Sequence, residues 1–372
     1  MVHILVEYGD EDGARIQQRQ LHATGPALRN RLLDFMCLLI DANLDIRFGR
    51  QQQGLDALRT AMELGRENGY MHFLWWQPDF MSELCMHALE AGIEPDYVKS
   101  LIQKRGLVPV SNIGNAANWP WKFRVQTLGK FSILKDDQPL GILCRIQTKP
   151  MELLKAIIAF GGEDVPEDQI AASLWPRIDG DYAHRSLTTT LHRLRKMLGE
   201  DGAIILQNGR ISLGRRYWWL DTWELEQVFE EIDRLFRYSP REVAPEKVTQ
   251  LADKLFSLYR APFMNKESDT PWHIALQELL RKKFNRYMGD LGRYQEERKQ
   301  WDVAIRYYQH SLEIDAMAEG FCRRLMLCYR EIGRMTEAIE TYESCRKILK
   351  ATKNIEPSAE TTAIYENLIH GV

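Results

Sequence analysis

The chain has 372 residues, 45% hydrophobic and 27% charged, with 49 Lys and Arg against 52 Asp and Glu and a formal net charge of −3. That length suggests two or three domains, and that balance belongs to a soluble globular protein rather than to a disordered or collagen-like one. No apolar run approaches the roughly 18 residues of a membrane span, and the start, Met1 to Glu7, lacks the basic flank and long apolar core of a signal peptide, so a cytoplasmic protein with no membrane partner is expected. The six cysteines, Cys37, Cys85, Cys144, Cys322, Cys328 and Cys345, lie far apart without Cys-x-x-Cys or zinc-finger spacing, which suits buried thiols in a reducing compartment and no metal site.

From about Ala14 to Leu107 apolar residues recur at three-to-four spacing (Leu28, Leu32, Phe35; Leu55, Leu58, Met62; Phe80, Leu84, Leu89), broken near Gly49, Gly69 and Gly92. This predicts several helices that bury a face against their neighbours, as in a solenoid or bundle. The aromatic-rich segment from Tyr70 to Pro78 is expected to fill a helix junction, since large rings are the usual packing of such corners. Gly106 to Asn118, rich in Gly, Pro, Ser and Asn, has no periodicity and is expected to be a linker.

Beyond it the pattern changes. Trp121 to Gln126 alternates apolar and polar, Gly129 to Leu134 resumes in the same style, and Asp136 to Pro139 turns the chain, which predicts short strands of a small antiparallel sheet. Two helices come next, one from about Lys149 with Leu153, Leu154, Ile157 and Ile158 inward, one opening at Pro166 and running to Leu174 and Trp175. A third, from Tyr182 to Leu198, carries Leu187, Leu191, Leu194 and Leu198 as one stripe, while Arg185, Thr189, His192, Arg193 and Lys196 collect on the opposite arc; it holds four formal positive charges and no carboxylate. Such a helix could be a solvated basic face. The adjoining stretch argues otherwise: Ala203 to Leu213 contains two β-type runs joined by Asn208-Gly209, the preferred type I′ pair, which sets Leu206 opposite Ile211, Ile204 opposite Leu213 and Gln207 opposite Arg210. A basic helix succeeded by a tight hairpin with a basic tip is the layout of a winged helix-turn-helix. Charge is distributed accordingly, with 15 Lys and Arg against 12 Asp and Glu between Trp119 and Asp221, and a balance of −6 over the remainder.

After Asp221 the pattern is helical to the end. Trp301 to Tyr308 superposes on Met335 to Tyr342 at a period of 34, with Ala304 on Ala338, Ile305 on Ile339 and Tyr308 on Tyr342, the length and small-residue signature of a tetratricopeptide helix pair, which is a binding scaffold. The expected fold class is therefore mainly α: N-terminal helical repeats, a winged helix-turn-helix with small antiparallel sheets, and a C-terminal tetratricopeptide-like helical domain.

Phe123 to Asp221, with Arg185-Ser-Leu and His192-Arg-Leu-Arg-Lys in its third helix, resembles the OmpR/PhoB-type winged helix. Asp221-Thr-Trp-Glu-Leu, Ser257-Leu-Tyr-Arg-Ala-Pro-Phe and the two 34-residue repeats resemble the bacterial transcriptional activation domain. The two in this order are the hallmark of the Streptomyces antibiotic regulatory protein family, and the resemblance covers roughly residues 120 to 368. The first 110 residues are similar to the last helical repeats of large MalT-like regulators, which carry a nucleotide-binding module upstream; no Gly-x-x-x-x-Gly-Lys-Ser/Thr occurs in this chain. The implied domains are 1–110 as a helical sensor-end or linker segment, 119–221 as the DNA-binding winged helix and 222–372 as the activation domain.

The resemblance implies a sequence-specific double-stranded DNA-binding regulator, an activator on direct repeats, with RNA polymerase and a second copy of the chain as protein partners and no cofactor. The candidate DNA contacts are Arg185, Thr188, Thr189, His192 and Arg193 toward the major groove, Lys196 toward phosphates, Arg210 at the wing and Arg215 after it. Arg195, at the edge of the apolar stripe, suits a phosphate or an intramolecular partner, and Trp218-Trp219 is expected to close the domain core rather than stack on a base. Catalysis is not expected: His72, His87 and His310 stand alone, and no Gly-x-Ser-x-Gly or His-Glu-x-x-His is present. The competing possibility is a helical scaffold that binds only another protein.

Overall fold

In the computed structural model residues 10–24, 30–74, 76–109, 118–143, 147–238, 244–265 and 270–370 are described. Leu28, Trp75, Cys144 and positions 110–117 of the expected linker lie outside them. Two compact units form, one from the chain up to Lys122 with Arg215–Tyr217, the other from Phe123–Gly214 and Trp218 onward. No described helix is long and apolar enough to cross a membrane.

The first unit contains helices α1 (Glu11–Thr24), α2 (Arg31–Arg47), α3 (Gln51–Asn68), α4 (Pro78–Glu90) and α5 (Pro95–Arg105). Their breaks fall where the glycines are: Gly69 and Gly106 sit at positive φ and cap α3 and α5, a conformation that costs glycine little and other residues more. Gly65 is a different case. A Cβ there would collide with the rings of Phe35 and Tyr97, so its lack of a side chain lets α3 approach them. The aromatic segment is a helix junction, with Phe35 against Tyr70 and Phe73, and Phe73 against Trp76; Leu74 projects into solvent instead.

The second unit opens with a four-stranded sheet in the order β3-β2-β1-β7, from β1 (Phe123–Gln126), β2 (Ser132–Lys135), β3 (Gln138–Pro139) and β7 (Trp218–Leu220). β1 and β2 pair antiparallel as expected, whereas β7 joins β1 in parallel, with Trp218 beside Phe123 and their rings stacked at 4.4 Å. Trp218 is fully buried and donates its indole N–H to the carbonyl of Ala203 at 2.7 Å, so it closes the core. After a short turn of helix, α6 (Leu140–Leu143), come α7 (Thr148–Ala159), β4 (Val165–Pro166), α8 (Glu167–Leu174), α9 (Gly180–Leu198), β5 (Ile204–Gln207) and β6 (Arg210–Leu213). Pro166 is not the first residue of a helix. It ends β4, opposite Arg210, and stands at the N-cap of α8 in extended conformation.

Helices α10 (Asp221–Tyr238), α11 (Pro245–Leu258), α12 (Pro271–Glu297), α13 (Trp301–Ile314), α14 (Glu319–Glu331), α15 (Met335–Lys353) and α16 (Ala359–His370) complete the unit. From α12 on, each packs against the next, and α13 and α15 begin 34 residues apart with Ala304, Tyr308, Ala338 and Tyr342 buried. Gly292 lets α12 approach α13, because a Cβ there would enter the ring of Tyr308.

The sheet and the helical part are joined by one buried carboxylate. Asp221, at the start of α10, accepts from the N–H groups of Thr127 (2.6 Å) and Leu128 (2.7 Å) and from the Thr127 hydroxyl (2.6 Å). Burial pushes this carboxyl up from the usual aspartate range and the hydrogen bonds draw it back. Residues 127–129 are held from a second side, where Gly129 N–H donates to Pro262 O at 3.0 Å and Leu128 bridges to Phe263. The Phe263 carbonyl in turn accepts from His273 at 3.0 Å and Gln277 at 3.3 Å of α12. Asp221→Ala should therefore orphan three donors in a dry site and cost about 2–4 kcal/mol, whereas Asp221→Asn, which keeps an acceptor, should cost less. A thermal melt of both variants checks this; an alanine variant melting with the parent would show that the carboxylate contributes little.

Candidate nucleic-acid interface

The basic helix α9 owes its orientation to its leucines. Leu187, Leu191, Leu194 and Leu198 are at most 3% exposed, and each buried leucine is worth about 1.5–3 kcal/mol. No rotation of the helix could keep that burial and hide the opposite arc. Arg185, Thr188, Thr189, His192, Arg193 and Lys196 are accordingly all exposed, the first and last lying about three turns apart on one face. The helix ends at Gly199 in the left-handed region, and Lys135 of β2 donates to the last carbonyl, Leu198 O, at 2.6 Å, a favourable place for a cation.

Helix α8 and the five-residue turn after it precede α9 in a helix-turn-helix. His184 of α9 meets Asp168 of α8 at 2.7 Å and braces the pair. Arg195 does not face outward: its guanidinium donates twice to Ile204 O, at 3.2 and 2.9 Å, tying the helix to the first wing strand. Of the two partners the residue pattern permits, the intramolecular one is the one present. Thr188 and Thr189 each donate a hydroxyl to the helix carbonyl four residues back, His184 and Arg185, at 3.0 and 2.9 Å. That commits the hydroxyls locally and leaves methyl groups on the exposed face. The Arg185 guanidinium lies 5.6 Å from the ring of Tyr182, a 62% exposed aromatic that charge and stripe counting passed over.

The wing has the register that Asn208-Gly209 implies, Ile204 opposite Leu213, Leu206 opposite Ile211 and Gln207 opposite Arg210, with Asn208 and Gly209 both at positive φ. Ile204, Ile211 and Leu213 are buried, whereas Leu206, nearer the tip, is 40% exposed. The tip is tethered, since Glu167 N–H donates to Gly209 O at 2.9 Å. Arg210 is exposed but engaged, its guanidinium reaching the carbonyl (2.9 Å) and carboxylate (3.0 Å) of Asp164. Arg215 lies in the three-residue stretch that belongs to the other compact unit. His184 pairs with Asp168 and Arg210 with Asp164, whereas among the described residues Arg185, His192, Arg193 and Lys196 make no ion pair. Elsewhere exposed arginines such as Arg59, Arg286, Arg330 and Arg346 are matched to carboxylates.

The family model of the bacterial transcriptional activator domain matches residues 226–369, from the first turns of α10 almost to the end of α16 and less than half of the chain. Among solved structures, Mycobacterium tuberculosis EmbR, in complex with a low-affinity phosphopeptide, is similar with a TM-score of 0.50 and 15% identity over 67% of this chain. At that identity the likeness is one of fold, mainly helical with small sheets, and the chain spans 65% of the length of that structure. No curated protein sequence matches the chain.

Arg195→Ala and Lys196→Ala, adjacent in sequence, should separate structural from surface cations. The first should lose about 1.5–3 kcal/mol of stability with its two charge-assisted hydrogen bonds, and the second should stay within about 0.5 kcal/mol. Denaturant melts decide, and equal losses would contradict the geometry.

Proposed function

We propose that the chain is a transcriptional activator that binds double-stranded DNA in a sequence-specific way through α9 and the β5–β6 wing. The observation that carries this is the set of exposed cations on α9 that lack intramolecular carboxylate partners, on a helix whose other face is committed to the core. A helix of this kind fits the major groove. Arg185 and Arg193 can each grip guanine O6 and N7 with two bonds, the methyl groups of Thr188 and Thr189 suit thymine, and His192 offers a ring nitrogen to a base edge. Lys196, toward the end of the helix, is assigned to phosphate. Arg210 and Arg215 are assigned to backbone contacts, Arg210 by exchanging Asp164 for a phosphate. The domains proposed are the winged helix at 119–221, the activation domain at 222–372 and a helical segment ahead of them.

The test is a binding titration on the best site selected from random duplexes. Arg185→Ala or Arg193→Ala should cost about 1–3 kcal/mol there and relax specificity, and binding by the parent should weaken steeply with salt. Undiminished discrimination in both variants would sink the groove assignment; no salt-dependent binding at all would favour a scaffold that engages only proteins. Arg210→Ala should weaken all sites alike and reduce the salt slope by about one.

Head-to-tail occupancy of direct repeats is what the resemblance to the Streptomyces antibiotic regulatory protein family implies; one groove-reading helix covers too little sequence to be selective alone, and half-sites near one helical turn apart, about 10–11 base pairs, would place both copies on one face. RNA polymerase is the proposed target of the activation domain, supported by the family model over residues 226–369. Deleting residues 240–372 would also remove residues 262–264 and α12, which pack on the winged helix, so the activation arm is tested by substitution in the full chain. Arg306→Ala with Glu340→Ala, both exposed on α13 and α15, should leave DNA binding intact and lower transcription in a reconstituted assay. Full activation by a pair that binds DNA normally would exclude that face.

A further inference from the structure

Two thiols face one another between α14 and α15. Cys322 and Cys345, 3% and 1% exposed, share a cluster with Leu349, against which Leu312 and Met317 pack. The same two residues line a groove of about 310 Å³ bounded by α13, α14 and α15, together with Leu325, Tyr329 and Ile348. A buried cysteine is ordinarily a small apolar filler, and Cys85 and Cys328, wholly enclosed, fit that description; burial is the main cause that pushes both thiols up, Cys328 to about 12. The groove-lining pair differs on two counts, since each thiol has the other as neighbour and both border an open space.

We propose that Cys322 and Cys345 form a dithiol that a hydroperoxide-class oxidant converts into an intramolecular disulfide, stapling α14 to α15 along the groove. Both sulfurs sit in one cluster and line one groove, so either can react first. With hydrogen peroxide, the thiolate of one cysteine of the pair attacks one oxygen, the O–O bond breaks, and the leaving hydroxide takes a proton to become water, leaving a sulfenic acid on that sulfur. The other cysteine's sulfur then attacks it, the S–S bond forms, the S–O bond breaks, and a second water leaves with the second thiol's proton. Two thiols lose two hydrogens, and one peroxide becomes two waters. The closure draws the sulfurs to about 2.05 Å, and the link ties together two helices that line the same groove, so oxidation alters the surface that α13, α14 and α15 offer to a partner.

The experiment uses the full chain, reduced, freed of reductant and exposed to hydrogen peroxide, then alkylated under denaturing conditions and digested without reductant. The expected product is a linked pair of peptides containing Cys322 and Cys345, two hydrogens lighter than the free pair and released by dithiothreitol, while Cys85 and Cys328 are recovered alkylated. The oxidised chain should melt several degrees higher, because the link restrains the unfolded state. In Cys322→Ser or Cys345→Ser, dimedone should trap a sulfenic acid on the remaining cysteine of the pair. Recovery of both thiols alkylated after peroxide, or oxidation of Cys322 and Cys345 each only to sulfinic acid without a link, overturns the proposal. The map of the parent chain decides even if a serine variant fails to fold.

Discussion

A carboxylate with no water around it must find its hydrogen bonds in the protein, and Asp221 finds them on the strand end it was folded against. Three donors from Thr127 and Leu128 converge on it, so the first turn of α10 cannot leave the sheet without stranding them. The same two residues, with Gly129, are pinned by the segment Pro262–Met264, whose Phe263 carbonyl is in turn held by α12. Trp223 adds a further tie, its indole N–H on Gly161 O at 2.8 Å, against Gly162, whose missing Cβ leaves room for the ring. The winged helix and the helices after it are one packed unit as a result. Under the proposed function, a partner of the helical part and a duplex on α9 would be held in a set geometry, which is what an activator that positions another protein beside its DNA site requires.

Within that unit the two faces of α9 are governed by opposing demands. The leucine face is fixed by burial, the lysine from β2 fixes its last turn, and Arg195 ties it to the wing. The outward face is left with Arg185, Arg193 and Lys196, which among the described residues make no ion pair although Asp181 stands one turn before Arg185, an arrangement that costs little in water and gains when an anion arrives. The wing is treated differently, because its tip hydrogen bonds to the start of α8 and its arginine is already on Asp164. The phosphate contact proposed for Arg210 would therefore compete with an existing ion pair, and its contribution should be smaller than exposure alone suggests.

How much of this was legible in the sequence depended on how local the cause was. The hairpin register follows from Asn208-Gly209 alone, the buried stripe of α9 from leucine spacing, and the helix pair from a 34-residue period, because each is set by neighbours within a turn or a repeat. What escaped has partners far along the chain. Nothing near Asp221 announces that it will meet Thr127, 94 residues earlier, or that β7 will lie parallel to β1. Pro166 looks like a helix start because its missing amide suits that position; the strand pairing with Arg210 that claims it comes from the far side of the wing. The exposed face of α9 was readable for the same reason its buried face was, since a helix with one apolar stripe has only one other side to offer. The base contacts proposed for it are a different matter, since a duplex and not this chain would set them.

The division between readable and unreadable residues also separates two ways in which the chain handles its charges. In the helices after Asp221 many cations are matched locally, Arg334 to Glu337, Arg346 and Lys350 to Glu356, Arg323 to Glu360. A protein with a mixed-charge rim could exchange pairs with that surface. On the exposed arc of α9, Arg185, Arg193 and Lys196 make no ion pair among the described residues. A net charge of −3 for the whole chain is the sum of +3 between Trp119 and Asp221 and −6 over the remainder. For the proposed DNA binding, long-range attraction would be weak or even unfavourable for the molecule as a whole, and approach would be decided within about a Debye length, some 8 Å at physiological salt, where only the local face of α9 and the wing is felt. The proposed orientation on a duplex rests on the same asymmetry, because Arg185, His192, Arg193 and Lys196 stand together on the exposed side of a single helix whose other side is fixed in the core.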